Sequence, residues 1–163
     1  MTVTLSIVLP EEKSILAALM QLYMYESTAY TDDDINPDGT YTYYYLDHYW
    51  QEEGRFPFLI YSSGRLAGLA LVRTLEFGED PYYQLAEFFI LHKYRRQGVG
   101  RTAAVTLFNR FQGRWEVQQE AGNLAGQAFW RRIIGDYTAG DYIEEWRESE
   151  HHRGPTQLFV SQP

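Results

Sequence analysis

The spacing of hydrophobic residues divides the first third of the chain into short strand-like and helix-like stretches. Residues 3–9 alternate apolar and hydroxylated side chains before Pro10, which predicts an opening strand. From Glu11 onward apolar residues recur at helical spacing, and the predicted buried face comprises Ile15, Leu16, Leu19, Met20, Leu22 and Tyr23. Residues 31–39 (TDDDINPDG) are rich in turn-forming residues and predict an acidic loop.

Residues 40–53 (TYTYYYLDHYWQEE) are dense in aromatic side chains, and we predict a helix that packs on a sheet through its aromatic face. Residues 55–61 and 66–75 are then two strand-like runs separated by the turn residues SSGR, which predicts a hairpin. A third run, residues 82–91, is rich in aromatic and branched side chains and predicts another strand.

The second half of the chain alternates between helix and strand patterns. Apolar residues after Val99 fall on one helical face, at Ala103, Ala104, Leu107, Phe108 and Phe111. Residues 115–118 predict a strand, and Asn123 is placed to cap a helix that buries Phe129, Trp130, Ile133 and Ile134 and ends at Gly135. Residues 142–148 and 156–160 predict two closing strands joined by a polar loop. This order favours one α/β domain over residues 1–163, with a mixed sheet of six or seven strands and helices on both faces.

Composition narrows the class of protein. The chain has 163 residues, of which 45% are hydrophobic, so it is long enough for one folded domain. Its formal net charge is -8, which disfavours binding to nucleic acid or to an anionic membrane. The absence of cysteine excludes disulfides, a thiolate zinc site and a cysteine nucleophile. Because no apolar stretch is long enough to span a membrane and no signal-like leader precedes the first strand, we expect a soluble cytoplasmic protein.

The segment between the 82–91 strand and the helix after it carries the strongest chemical signal. Gly98 and Gly100 allow a ligand to approach the backbone closely, and the N–H groups of the following helix start favour an anion. Arg95, Arg96 and Arg101 add positive charge around the same turn. A diphosphate suits such a turn best. The alternative is an ordinary strand-to-helix turn, because the glycines match neither common nucleotide-binding fingerprint.

Two motifs carry a family resemblance. Residues 95–100 (RRQGVG) resemble the R/Q-x-x-G-x-G/A signature of the GNAT superfamily of N-acetyltransferases. Asn123, Gly126, Phe129 and Trp130 resemble that family's N-x-x-A-x-x-F-Y stretch, with Gly126 where Ala is usual. The resemblance implies a GNAT-like fold and acetyl-CoA as co-substrate, with its pyrophosphate on the loop amides and no metal.

The resemblance also implies a set of residues that bind acetyl-CoA. In the family the fourth strand splays from the fifth and offers free main-chain groups to the pantetheine arm, which here implicates Ile90 and Leu91. The remaining implied contacts follow the two motifs and are Arg95, Arg96, Gln97, Gly98, Val99, Gly100, Arg101, Thr102, Asn123 and Trp130.

Glu87 is a lone carboxylate in an otherwise apolar strand. Strict alternation would place it on the face of Leu85, Phe89 and Leu91. Burial would raise its pKa toward a value suited to a general base, which amine acetylation needs because the acceptor arrives as an ammonium. The resemblance agrees, since several family members use a strand-four Glu in this way through water. The alternative is a structural Glu paired with an Arg or a backbone amide.

Trp130 departs from the family pattern, because it replaces the Tyr that commonly protonates the leaving thiolate and an indole N–H is no acid near neutral pH. Either another phenol substitutes, with Tyr137 and Tyr142 as candidates, or the thiolate leaves unaided. The departure also keeps a second function open, a non-catalytic acyl-CoA sensor or protein-interaction domain.

The acceptor is not identified by the sequence. The family's first two helices wall the acceptor pocket, so the residues that could line it are Tyr43, Tyr44, Tyr45, His48 and Trp50. A small-molecule amine and a protein amine are both compatible, as are a monomer and a homodimer. His151 and His152 are adjacent in a predicted loop, where we expect solvated side chains and no metal site.

Overall fold

A single seven-stranded sheet forms the centre of the computed structural model, which describes residues 1–162. The strands are β1 (Val3–Ile7), β2 (Arg55–Ser62), β3 (Arg65–Glu76), β4 (Tyr82–Ile90), β5 (Arg114–Gln118), β6 (Ile143–Glu148) and β7 (Arg153–Val160). Their order across the sheet is β1-β2-β3-β4-β5-β7-β6, and within residues 1–162 only β4 and β5 pair in parallel. The predicted mixed sheet of six or seven strands is therefore confirmed.

The helices cover both faces of the sheet, as predicted. They are α1 (Lys13–Ser27), α2 (His48–Gln51), α3 (Val99–Arg110) and α4 (Leu124–Thr138). On one face Leu16 of α1 and Tyr49 of α2 pack with Leu69 and Phe89 of the sheet. On the other face the apolar sides of α3 and α4 pack around Trp115, which is almost fully buried. In the described part of the chain no helix has the length and apolar character needed to cross a membrane.

The helix predicted over residues 40–53 is wrong, because only the four residues of α2 are helical there. Tertiary contacts hold the segment in another conformation. The Gln21 side chain bonds both main-chain groups of Tyr41, donating to its carbonyl over 2.8 Å and accepting from its N–H over 2.7 Å. The Trp50 indole donates to the Val8 carbonyl over 2.9 Å. Tyr and Thr are weak helix formers, so these contacts prevail over the local pattern.

Two predicted boundaries also shift. Helix α4 continues past Gly135 to Thr138 and stops where Ala139 and Gly140 take positive φ values of 53° and 84°. The N–H of Gly140 then bonds the Gly135 carbonyl over 2.8 Å, a common way for a helix to end. Strand β7 begins at Arg153 rather than at residue 156, because Arg153 already pairs with Glu148 of β6.

Strands β4 and β5 diverge after a short paired stretch. They pair only from Tyr82 with Arg114 to Leu85 with Val117, while β4 runs on to Ile90. Helix α3 starts just beyond this diverging end, and α4 starts beyond the end of β5. The splayed pair implied by the family resemblance is thus present, and it places both helix starts at one edge of the sheet.

Candidate active site

The loop before α3 presents a row of uncommitted main-chain amides. The Arg95 N–H bonds the His92 carbonyl over 3.2 Å, and the Thr102 N–H bonds the Gly98 carbonyl over 3.0 Å. Within residues 1–162, no carbonyl accepts a hydrogen bond from the N–H groups of residues 96 to 101. Unpaired N–H groups at a helix start attract phosphate oxygens, and the helix dipole adds a favourable field. Six consecutive N–H groups are therefore uncommitted, although Val99 among them is fully buried, and Thr102 is not one of the six.

The backbone of this loop is shaped for close approach. Arg96 and Gly98 have positive φ values of 58° and 83°, and Gly98 stands directly before the first residue of α3. A Cβ on Gly98 would meet only the Met1 side chain, at 3.9 Å. At Gly100 a Cβ would come within 3.0 Å of the Phe129 ring, so this glycine also lets α4 pack against the loop. The two glycines of the signature therefore have different roles: Gly98 faces open space, and Gly100 allows close packing against Phe129.

The three arginines of the segment do not share one role. The hydrogen-bond donors of Arg95 are occupied by other residues of the protein, since its guanidinium bonds both carboxylate oxygens of Glu26 and the Ile90 carbonyl. Arg101 pairs with Asp136 over 2.8 Å on an exposed surface. Arg96 is exposed and forms no ion pair with the residues that the structure describes. Of the three arginines expected around one phosphate site, only Arg96 has no ion-pair partner among the described residues. The Gln97 side chain donates a hydrogen bond to the Lys93 carbonyl.

The end of β4 offers fewer free main-chain groups than the sequence suggested. The Leu91 N–H bonds the Ala67 carbonyl over 2.8 Å, and the Leu91 carbonyl accepts from the Tyr94 N–H over 2.9 Å. The Ile90 carbonyl accepts from Arg95. Because neighbouring residues of a strand direct their N–H groups to opposite sides, the Ile90 N–H faces away from β3 into the splay. Ile90 thus retains the expected donor, whereas both main-chain groups of Leu91 are occupied.

Glu87 lies on the α1 face of the sheet, but the strict alternation predicted for its strand is wrong. Leu71 pairs with Glu87 and Val72 with Leu85, so Ala86 forms a bulge between them. Leu85 consequently packs on the α3 face, opposite Phe89. The bulge adds one residue to the strand and reverses which side chains share a face.

Burial raises the pKa of Glu87 to about 8. The Tyr23 hydroxyl beside it opposes this shift in part, whereas the negative charge of Glu120 adds to it. One carboxylate oxygen of Glu87, Oε2, is shielded from solvent and has no hydrogen-bond partner among the described residues. A carboxyl group whose pKa lies near the working pH can both take up and release a proton. Among the described residues neither an Arg nor a backbone amide bonds Glu87 Oε2, so the structural alternative finds no support there, and the general-base role stays a prediction.

Phenol groups from α1, from α2 and from the segment that precedes α2 lie around this carboxyl group. Burial, followed by the charge of Glu87, raises the pKa of Tyr23, of Tyr43 and of Tyr49, the last to about 12. The Tyr49 hydroxyl is buried and has no hydrogen-bond partner within residues 1–162. Of the aromatic residues predicted to line the acceptor pocket, Tyr43 is therefore close to Glu87, while Tyr44 and Tyr45 are largely exposed.

The turn after β5 brings a second carboxylate to the same region. Glu120 influences the pKa of Glu87, of Tyr23 and of Tyr30, and a Cβ on Gly122 would lie 2.9 Å from that of Tyr30. His152 is not solvated as expected, because its side chain is only 17% exposed and its Nδ1 lies 3.5 Å from Glu120 Oε1. The Ala121 N–H bonds the Arg153 carbonyl of β7 over 2.8 Å, which extends the pairing of β5 with β7 and brings the β6–β7 loop beside Glu120. His151, by contrast, is solvated as predicted.

The two candidate acids lie elsewhere. Tyr137 and Tyr142 pack with the α3 and α4 cluster, on the other face of the sheet from Glu87, and together line a surface cavity near β6 and β7. The Tyr137 hydroxyl donates to Asn109 Oδ1 over 2.7 Å. Trp130 is nearly buried among Phe88, Phe108 and Phe129, so its side chain belongs to the core.

Asn123 caps α4 as predicted, since its side chain accepts from the Gly126 N–H over 3.0 Å. A Cβ on Gly126 would collide with the Asn123 side chain, so an Ala at this position would require that side chain to shift. Sequence reasoning missed Tyr23, Tyr30, Tyr49 and Glu120 as neighbours of Glu87. The only available signal was the position of Glu120, two residues after a predicted strand, at the edge where sheet ligands collect.

Comparisons with known proteins agree with this geometry. The model of the Acetyltransferase (GNAT) family matches residues 19–135. No curated protein is significantly similar to this chain in sequence. Among solved structures, an acetyltransferase from Thermus thermophilus has a TM-score of 0.69 and 15% identity, over 98% of this chain and 97% of that one.

Two further structures show the same fold with other molecules bound. Arabidopsis thaliana Naa50, in complex with the bisubstrate analogue CoA-Ac-MVNAL, has a TM-score of 0.62 and 15% identity, covering 98% of this chain and 99% of that one. Spermidine N-acetyltransferase from Vibrio cholerae, in complex with CoA and spermine, has a TM-score of 0.61 and 10% identity, covering 98% and 95%. The family match spans most of the chain, so the protein belongs to the GNAT family of N-acetyltransferases.

Proposed function

We propose that this protein transfers an acetyl group from acetyl-CoA to a primary amine by direct attack, without a covalent enzyme intermediate. The observation that carries the proposal is the row of uncommitted amides at residues 96 to 101, next to a strand end that has no partner on its β5 side. A diphosphate fits the amides, and an extended pantetheine arm fits the splay as an added strand does. Acetyl-CoA supplies an activated thioester when it is bound there.

The residues of the chain divide the remaining work. The amides of residues 96 to 101, with Arg96, hold the pyrophosphate, and Asn123 shapes the start of α4 at the same edge. The Ile90 N–H faces the splay and donates to the oxygen that becomes negative during acyl transfer. Glu87 accepts the proton of the incoming ammonium, directly or through water, so that the nitrogen lone pair can attack. Tyr137 and Tyr142 lie on the other face of the sheet from Glu87, so in this proposal the thiolate leaves unprotonated, as its low basicity allows. The proton that the nitrogen still carries after its attack passes to solvent.

The acceptor site of this proposal lies between β4, the end of α1 and the turn after β5. Its side chains are the phenols around Glu87 together with Glu120, and a cationic amine is attracted by both aromatic faces and carboxylates. Naa50 was solved with a peptide-bearing analogue and the Vibrio cholerae enzyme with spermine, so related folds accommodate both kinds of amine. The acceptor proposed here is accordingly a small-molecule or protein amine.

Release of free thiol from acetyl-CoA tests the proposal. Small amines and peptides with free N-termini serve as acceptors, and mass spectrometry locates the added acetyl group. We expect amine-dependent thiol release with acetylation on nitrogen, and no acetyl group on the protein after incubation without acceptor. Tight CoA binding without turnover on any acceptor would favour a non-catalytic acyl-CoA sensor instead.

A further inference from the structure

A three-residue contact joins the end of α1 to the end of β4. Glu26, in the last turn of α1, accepts from Arg95 Nη1 and Nη2 over 2.7 Å each. The same guanidinium donates from Nε to the Ile90 carbonyl over 2.7 Å. Glu26 and Arg95 are 69 residues apart in the chain, so this fork-shaped contact is a tertiary link between two elements.

The surroundings make this contact more than a surface ion pair. The side chains of Arg95 and Glu26 are 36% and 32% exposed, and the guanidinium carbon lies 5.6 Å from the centre of the Phe89 ring. The pKa of Glu26 lies below its usual value, first because Arg95 donates hydrogen bonds to it. His92 Nε2 also lies 2.9 Å from Glu26 Oε1. Two residues of the segment between β4 and α3, His92 and Arg95, therefore reach the same carboxylate.

The contact meets both halves of the proposed site. Its one end holds the carbonyl of Ile90, whose N–H faces the splay. From its other end the chain continues within four residues to Tyr30, which lies against Gly122 in the turn after β5. A guanidinium fixed in two places restrains the backbone angles of Ile90, the last residue of β4.

We propose that Glu26 is a positioning residue, which acts through Arg95 to hold Ile90 in the geometry needed for acyl transfer. This inference rests on the proposed function. Arg95, the first residue of the glycine signature, then serves the reaction as a brace and not as a phosphate ligand. Small errors in the placement of a reacting group cost much rate with little loss of binding, so the role predicts a change in kcat.

Glu26→Gln tests the role, because it keeps the shape of the side chain and removes its charge. We expect kcat to fall by about tenfold to a hundredfold, while the rise in melting temperature caused by CoA stays as in the wild type. Glu144→Gln is the matched control, since Glu144 is 31% exposed and also bonds an arginine, Arg131, with both oxygens. The control should retain the wild-type kcat.

Arg95→Lys gives a second route, since a lysine keeps the charge but cannot bond Ile90 and both carboxylate oxygens at once. If Glu26 acts through Arg95, the double variant should be no slower than Arg95→Lys alone. An unchanged kcat for Glu26→Gln in an active wild type would overturn the positioning role alone. A wild type that neither binds CoA nor releases thiol would overturn the proposed function and this role with it.

Discussion

Glu87 shows how the chemistry of one residue depends on neighbours from separate parts of the chain. Its strand buries the carboxyl group, α1 contributes Tyr23 beside it, and the turn after β5 contributes the charge of Glu120. Each contribution shifts the balance between the protonated and ionised forms, and burial is the largest. At neutral pH the group is therefore mostly protonated in the free protein, and the approach of an ammonium favours its ionised form.

Glu87→Gln should lower kcat by about a hundredfold or more, since a positioned general base contributes about 10²–10⁴. In the wild type the ionised carboxylate is the active form, so kcat/KM should rise as the pH increases through about 8. The variant should lack this rise. The measurement is thiol release against pH with an acceptor amine whose own pKa lies well above the measured range, so that it arrives as an ammonium at every pH and does not titrate there.

Exposed Glu79 supplies the control, because it lies in the turn that precedes β4, at the far end of the strand from Ile90. Glu79→Gln should keep the wild-type pH profile. A Glu87→Gln protein with an unchanged profile would assign the proton transfer to another group.

The stability of the free protein should respond to Glu87 independently of any acceptor. The folded-state pKa is raised from 4.5 to about 8, so the protein favours the protonated form. The contribution of this group to stability is thus complete below pH 4.5 and is lost as the pH rises through about 8. Urea unfolding of the wild type and Glu87→Gln at several pH values checks this. The wild type should weaken relative to the variant as pH rises, and parallel curves would contradict the assigned pKa.

At the scale of elements, the groups proposed to bind CoA lie together at the junction of β4 and α3. The strand supplies a free edge because β5 leaves it after four residue pairs, and the helix supplies amides because its first turn has no preceding carbonyls to bond. Gly98 faces open space at this junction, whereas Gly100 accommodates Phe129. At Gly98 the loop carries no side chain that could obstruct an approaching anion.

Gly98→Glu should abolish CoA binding, because it adds bulk and negative charge where the proposal places the pyrophosphate. Isothermal titration with CoA measures the effect. Gly78→Glu is a matched control, because Gly78 also has a positive φ, of 114°, and open space around its Cα, but lies in the turn before β4. Both variants place a side chain at a positive φ, so backbone strain is common to them and only the first should lose affinity. Retained affinity in Gly98→Glu would show that the loop does not hold the phosphates.

At the scale of the whole molecule, the sheet separates two helical layers. Residues of both layers lie near the C-terminal ends of β4 and β5. The α1 and α2 layer surrounds Glu87, and the α3 and α4 layer supplies the helix starts that face the splay. The splay is therefore a place where groups from both layers can meet the same ligand. A ligand that bridges the layers should stabilise the entire fold.

CoA should raise the melting temperature of the wild type. At a concentration a hundred times its dissociation constant, a ligand that binds only the folded state adds about 2.7 kcal/mol. For a domain of this size that corresponds to about 5–10 °C. Differential scanning fluorimetry with CoA, and with adenosine as a ligand that lacks the pyrophosphate, measures the shift. An unchanged melting temperature with CoA would count against acyl-CoA binding of either kind, catalytic or sensory.

The sequence by itself determined the order of strands and helices, the glycine loop at the start of α3 and the cap at Asn123. These features depend on local spacing, turn chemistry and short motifs, which involve residues that are close together in the chain. Tertiary structure alone decided that Ala86 forms a bulge, that residues 40–53 are mostly non-helical and that Arg95 bonds Glu26. It also decided which phenols and which second carboxylate surround Glu87. Such contacts join residues far apart in the chain, and their energies depend on burial and distance, which no local pattern encodes.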